Sequence, residues 1–84
     1  MAFVVIEPDE LRARIGTRIR ELAKRRRMTL SRLATESEVS PGHLWAVLRG
    51  EKAPTSDILA KFAAVLQVDP HELLRPPRKP RTPK

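Results

Sequence analysis

The chain contains no cysteine and no tyrosine, and its only aromatic residues are one Trp and two Phe. Without cysteine there is no disulfide staple and no thiolate metal site, and the absence fits a reducing, cytoplasmic setting. Long apolar runs are also missing. Phe3-Val4-Val5-Ile6 is too short for a membrane span, and too short for the core of a signal peptide. The three glycines stand apart at 16, 42 and 50, so no phosphate-cradling loop runs through them. His43 and His71 lie 28 residues apart, with no metal-ligand spacing around either. These absences speak against an enzyme, and no catalytic residue, metal or cofactor is expected. Eighty-four residues suit one small domain with a marginal core.

What the chain does have is positive charge, +7 in all, unevenly spread. Five of the 17 basic residues (Arg75, Arg78, Lys79, Arg81 and Lys84) and none of the 10 acids fall in 75–84, leaving 12 against 10 elsewhere. The basic, proline-rich tail at 75–84 cannot pack a core and reads as disordered, either a solubilising end or a non-specific phosphate tether. The rest is nearly balanced, so charge alone does not establish a DNA-binding surface.

Residues 1–7 read as an extended leader, either a frayed terminus or an edge strand that pairs with a second subunit. Residues 8–74 read as an all-α body. Pro8-Asp9-Glu10 opens a helix, and Leu11, Ile15, Ile19 and Leu22 repeat at helical spacing. Arg12, Arg14, Arg18 and Arg20 fall largely off that stripe and read as a solvated face. The helix runs out in Lys24-Arg25-Arg26-Arg27, where cations suit the dipole; that cluster is either a solvated end or a phosphate contact. Thr29 caps a short second helix that reaches about Glu36. Thr55 caps a fourth, with Ile58, Leu59, Phe62, Ala63 and Leu66 on a broad buried face. Asp69-Pro70-His71-Glu72 reads as a cap, a first-turn proline and a capping-box acid opening a short fifth helix that carries Leu73 and Leu74.

Ser40 to Gly50 is the most informative stretch. Ser40 is a good N-cap, Pro41 suits the first helical position, and Gly50 suits the left-handed residue that ends a helix. Leu44, Val47 and Leu48 form one apolar stripe, leaving Gly42, Trp45, Ala46 and Arg49 on the opposite face. Two short helices joined by a tight turn, the second capped at Ser40, make the helix-turn-helix pattern.

On these residues the chain resembles the phage-repressor-type (Xre-like, Cro/cI-type) helix-turn-helix family over about residues 12–74. The likeness rests on Ile-Gly-x-Arg-Ile-Arg-Glu-Leu at 15–22, Thr-Leu-Ser-Arg-Leu-Ala at 29–34, Val-Ser-x-x-x-Leu at 39–44 and Arg-Gly-Glu at 49–51. Pro54-Thr55 and Leu-x-Val-Asp-Pro-x-Glu-Leu at 66–73 complete it. The resemblance implies a five-helix, repressor-like domain that regulates transcription by laying the 41–49 helix in the major groove of double-stranded DNA.

Three departures from the family pattern bear on that expectation. Leu30 stands where a DNA-contacting Gln is common. Glu38 stands where the turn commonly has Gly, at a cost of about 1–2 kcal/mol if the left-handed geometry is kept. Ala23 and Leu48 replace a partly buried Arg–Glu pair, which reads as a repacked core contact with Leu48 inside.

By the same resemblance Pro41, Gly42 and Ala46 face the bases, though none can hydrogen-bond one. His43, Trp45 and Arg49 are the remaining candidates for direct contact. Thr29, Arg32, Ser40, Arg49 and Lys52 are placed for phosphates. For His43 a solvated position is equally open. Trp45 has three readings: a ring packed passively on the domain, a stack with Arg49, or a contact to a partner. The alternative function is a protein-interaction module on the same scaffold, anchored by Trp45. A homodimer through Leu73, Leu74 and the strand at 3–6 is expected, with no membrane association.

Overall fold

A computed structural model of the protein describes residues 5–76. Four α-helices follow one another: α1 (Pro8–Arg25), α2 (Leu30–Glu36), α3 (Pro41–Leu48) and α4 (Ser56–Leu66), ending in a 3-10 turn at Pro70–Leu73. The all-α expectation holds, with one correction to the count. The segment read as a fifth helix is only a 3-10 turn, because Asp69 caps it and Leu74 already ends it, leaving too few residues to sustain α-type bonding. Val5 to Glu7 form no strand. The rest of the expected 3–6 strand, and the tail beyond Pro76, lie outside the described residues.

The caps fall where the sequence places them. Thr29, Ser40 and Thr55 each accept, through the side-chain hydroxyl, the backbone N–H three residues on, at 3.1, 3.1 and 3.2 Å. Each satisfies one of the orphan donors of a helix start.

The helix ends share one device, which the sequence announces at Gly50 and Glu38 and hides at Arg27 and Gln67. Met28, Val39, Glu51 and Val68 donate their N–H groups to the carbonyls of Ala23, Ala34, Ala46 and Ala63, each at 2.9–3.0 Å. The residue before each donor (Arg27, Glu38, Gly50 and Gln67) is left-handed, with φ of 55, 60, 76 and 59°. These are Schellman turns, and only one of the four uses glycine. The other three accept about 1–2 kcal/mol of strain each, offset by the apolar residue that follows and packs on the core. Glu38 is thus left-handed as anticipated.

Ile15, Ile19, Leu22, Leu33, Leu44, Val47, Phe62, Leu66 and Leu73 make one buried core, with Ala23 and Leu48 inside it as expected. Burying each large side chain is worth about 1.5–3 kcal/mol. Leu73 is fully buried, so it is not available to a second subunit; of that expected patch Leu74 and Val5 are exposed among the described residues.

α1 packs chiefly on α3, and the two run in opposite senses. Ala13 lies beside Gly50, where an added Cβ would come within 3.5 Å of it, Gly16 lies beside Leu48, and Arg20 beside Trp45. A Cβ at Gly16 would sit 2.5 Å from the Leu48 carbonyl oxygen, so only glycine permits this approach.

The solvated face read onto α1 is the largest correction. Arg12 Nε donates to the Gly50 carbonyl at 3.1 Å, and Arg14 reaches the Leu74 carbonyl at 3.3 Å. Arg18 is buried; it donates to the Glu72 carbonyl (2.8 Å), Glu21 Oε1 (2.7 Å) and Glu72 Oε1 (3.1 Å). Arg12 therefore ties α1 to the end of α3, and Arg14 and Arg18 tie it to the 3-10 turn region. Glu72 serves Arg18 and Arg75 instead of closing a capping box.

Candidate nucleic-acid interface

The α2–turn–α3 unit is held from beneath by Leu33, Ala34, Leu44, Val47 and Leu48, all buried. What remains outward is set by that anchoring: Thr29, Arg32, Ser40, Pro41, Gly42, Trp45, Arg49 and Lys52 are exposed, and His43 and Ala46 are half-buried. Pro41, Gly42, Trp45 and Arg49 thus present one continuous outer surface on α3, rising from a capped N-terminus whose free N–H groups favour negative charge.

Gly42 carries the clearest signal. A Cβ built there would meet nothing within 4 Å, so no contact inside the domain requires glycine. Glycine in a helix costs up to about 1 kcal/mol relative to alanine. Together with Pro41 and Ala46 it leaves the N-terminal half of α3 with a low profile that another molecule's surface can approach closely.

Trp45 is 42% exposed. The cation on its ring is not Arg49: Arg20 of α1 lies over the indole, its guanidinium carbon 5.7 Å from the ring centroid. Arg49 turns to Glu51 and makes a two-pronged bond at 3.0 and 3.2 Å, so the anticipated Trp45–Arg49 stack is not formed. The bond holds the Glu51 carboxyl below its ordinary range and raises the Arg49 guanidinium. Arg32 is likewise paired, with Glu36 one turn on. Lys52 has no carboxylate partner among the described residues.

His43 differs from its solvated reading, because its Nε2 is buried without a hydrogen-bond partner. Only part of the ring is open to a ligand. Leu30 packs against the core, where an apolar side chain is useful and the family's common Gln would not be. At the basic end of α1, Lys24, Arg25 and Arg27 are exposed, while Arg26 donates to Gln67.

The sequence thus identified the exposed set on α3 but missed Arg20. The signal for it was weak: one arginine among five on α1, distinguished only by lying one turn beyond Gly16 on the face that meets α3.

Residues 14–75 match the helix-turn-helix domain family. No curated protein matches the chain. Among solved structures the chain is similar to the clp gene regulator ClgR of Corynebacterium glutamicum, at 34% identity and a TM-score of 0.72, over 76% of this chain and 68% of that one. It is similar to the restriction-modification controller protein C.AhdI of Aeromonas hydrophila, at 27% identity and 0.70, over 74% and 94%. An HTH_3 family transcriptional regulator of Vibrio cholerae aligns at 27% identity and 0.74, over 80% and 38%. Nothing in these likenesses favours the protein-interaction alternative.

Proposed function

This chain belongs to the helix-turn-helix domain family, in Xre-like form, and on that premise we propose that it is a DNA-binding transcription regulator that lays α3 in the major groove. The observation that carries the reading is the outer face of α3: an exposed, low-profile N-terminal half in which Gly42 has open space around it. The backbone can approach base edges closely there, while Ser40 and Thr29 sit at the two helix starts beside phosphates.

Base reading is sparse on this surface. Pro41 and Gly42 offer no hydrogen-bonding side chain, Ala46 offers a methyl, and His43 keeps one nitrogen covered. Selectivity then rests on Trp45 and Arg49 and on DNA shape, which makes the protein semi-specific. A two-fold dimer reading paired half-sites about one helical turn apart fits this mode, with the exposed Leu74 and Val5 as the apolar residues left for a second copy. Its setting is the cytoplasm, at the nucleoid; among the described residues no helix is long and apolar enough to cross a membrane.

The test is titration of the protein into random-sequence and genomic-fragment duplexes across a salt series. Binding weakens with salt at a slope of about −0.9 per phosphate neutralised. Emission from the sole Trp shifts with the same midpoint. Absence of binding to every duplex at low salt rules the reading out. Sedimentation with and without DNA decides the dimer.

A further inference from the structure

We propose that Arg20 is a DNA-backbone contact of this interface, held in place by Trp45; the proposal rests on the reading of α3 as the DNA-facing helix. The cations of this surface differ in whether a carboxylate already pairs with them. Arg32 and Arg49, both on the helix-turn-helix face, are each paired with a carboxylate of their own neighbourhood, Glu36 and Glu51. Arg12, Arg14 and Arg18 are committed to carbonyls and carboxylates inside the domain. Arg20 is exposed and has no acidic partner among the described residues. Its charge is left to act on something outside the chain.

The packing of α1 on α3 decides where that charge sits. Stepping along α1 from Ala13 to Gly16 to Arg20 passes Gly50, Leu48 and Trp45 on α3, so Arg20 emerges beside the outer face of the recognition helix. The tight Gly16–Leu48 contact draws the two helices close enough for the guanidinium to lie over the indole. At 5.7 Å from the centroid the separation is within cation–π range. A ring attracts the guanidinium without taking its N–H groups as a carboxylate would, so they remain available to fork onto phosphate oxygens. The ring narrows the wandering of a long side chain before DNA arrives, and ordering cost is one of the terms that limits such contacts. Lys24 follows one turn further along α1, also exposed, and continues the cationic line on that side.

This gives Trp45 a role apart from touching bases: it is a positioning residue for Arg20. Neither residue belongs to the buried core, so both can be changed without dismantling the fold. The experiment uses the full chain and a labelled mixed-sequence duplex, with affinity measured between about 50 and about 200 mM salt. In Arg20→Ala the slope of log affinity against log salt flattens by about 0.9, so affinity lost over that fourfold salt range shrinks by about 3.5-fold. Arg20→Lys keeps the wild-type slope, because the charge is retained. In a Trp45→Ala background, Arg20→Ala costs less than it does in the wild type, because the ring that held it is gone. Circular dichroism and the thermal midpoint stay at wild-type values in Arg20→Ala, which separates a lost contact from a lost fold. An unchanged slope in Arg20→Ala, beside a steep wild-type slope, overturns this proposal alone. Independent, multiplicative effects of the two substitutions overturn the positioning role of Trp45. A wild type that binds no duplex overturns the reading of α3 as well, and retention of an acidic protein by this surface would then replace it.

Discussion

Arg18 and Arg20 stand two residues apart on one helix, and the domain treats them as different materials. Arg18 is 5% exposed and its guanidinium is divided among Glu21 Oε1, Glu72 Oε1 and the Glu72 carbonyl. Arg20 is exposed, and its guanidinium lies over the face of Trp45. Two residues are about 200° of helix, enough to send one arginine toward the 3-10 turn and the other toward α3. The first is spent on architecture because its neighbours are acids and a carbonyl. The second is left for a ligand because its neighbour is a ring that attracts a cation without neutralising it. Charge on a helix therefore says little until the groups facing each position are known.

The sharpest way to break the contrast is Arg18→Ala. Glu21 and Glu72 would lose their buried partner, and removing one member of a buried pair typically costs 3–5 kcal/mol. Both carboxylates keep about a quarter of their side-chain surface exposed and can rehydrate, so a loss of about 2–4 kcal/mol is expected from urea unfolding. The DNA salt slope of the folded protein stays as it was. A midpoint unmoved by this change would show that the buried network contributes nothing.

Next in size is Gly16→Ala, which acts on both faces together. The new methyl must displace the Leu48 carbonyl, and overpacking of this kind costs about 1–3 kcal/mol. Because the same contact brings Arg20 to Trp45, the indole emission of the folded variant should move toward that of Arg20→Ala. Wild-type stability in Gly16→Ala would mean that α1 and α3 part at little cost.

Gly42→Ala is the gentler counterpart, made where a Cβ meets open space. Stability is expected to hold or to rise by up to about 1 kcal/mol, while DNA affinity falls. Gain in both would remove close backbone approach from the account of α3.

The smallest effect comes from pH. Asp69 Oδ1 accepts the His71 N–H at 3.0 Å and caps the turn whose Glu72 grips Arg18. That bond, and the His71 ring beside it, hold the Asp69 carboxyl below its ordinary value. A lowered folded-state value favours folding above the unfolded value, and the contribution disappears as pH falls through the folded one. Acid unfolding followed with Asp69→Asn should therefore show a shallower loss of stability in the acidic range than the wild type shows.

Much of the molecule follows from local chemistry that can be read along the chain. Thr29, Ser40 and Thr55 cap because a hydroxyl before a helix meets an orphan N–H wherever the helix ends up. The apolar stripes at Ile15, Ile19 and Leu22, and at Leu44, Val47 and Leu48, determine which faces go inward, since helical periodicity alone puts those residues together. Exposure of Gly42, Trp45 and Arg49 follows from the same periodicity as its complement. Three things required the folded chain. The left-handed Arg27 and Gln67 carry no glycine to announce them and are paid for by Met28 and Val68 reaching the core. Leu73 and Leu74 are identical side chains with different fates, because Leu73 is the last residue of the 3-10 turn and faces the core, while Leu74, its C-cap, faces out. Apart from the Arg18–Glu21 pair, the partners of Arg12, Arg14, Arg18 and Arg20 lie 25 to 60 residues away in the chain, at Trp45, Gly50, Glu72 and Leu74. No spacing rule reaches so far; Arg12 and Arg20 acquire their roles when Gly16 lets α1 close on α3, and Arg14 and Arg18 when the 3-10 turn packs on α1.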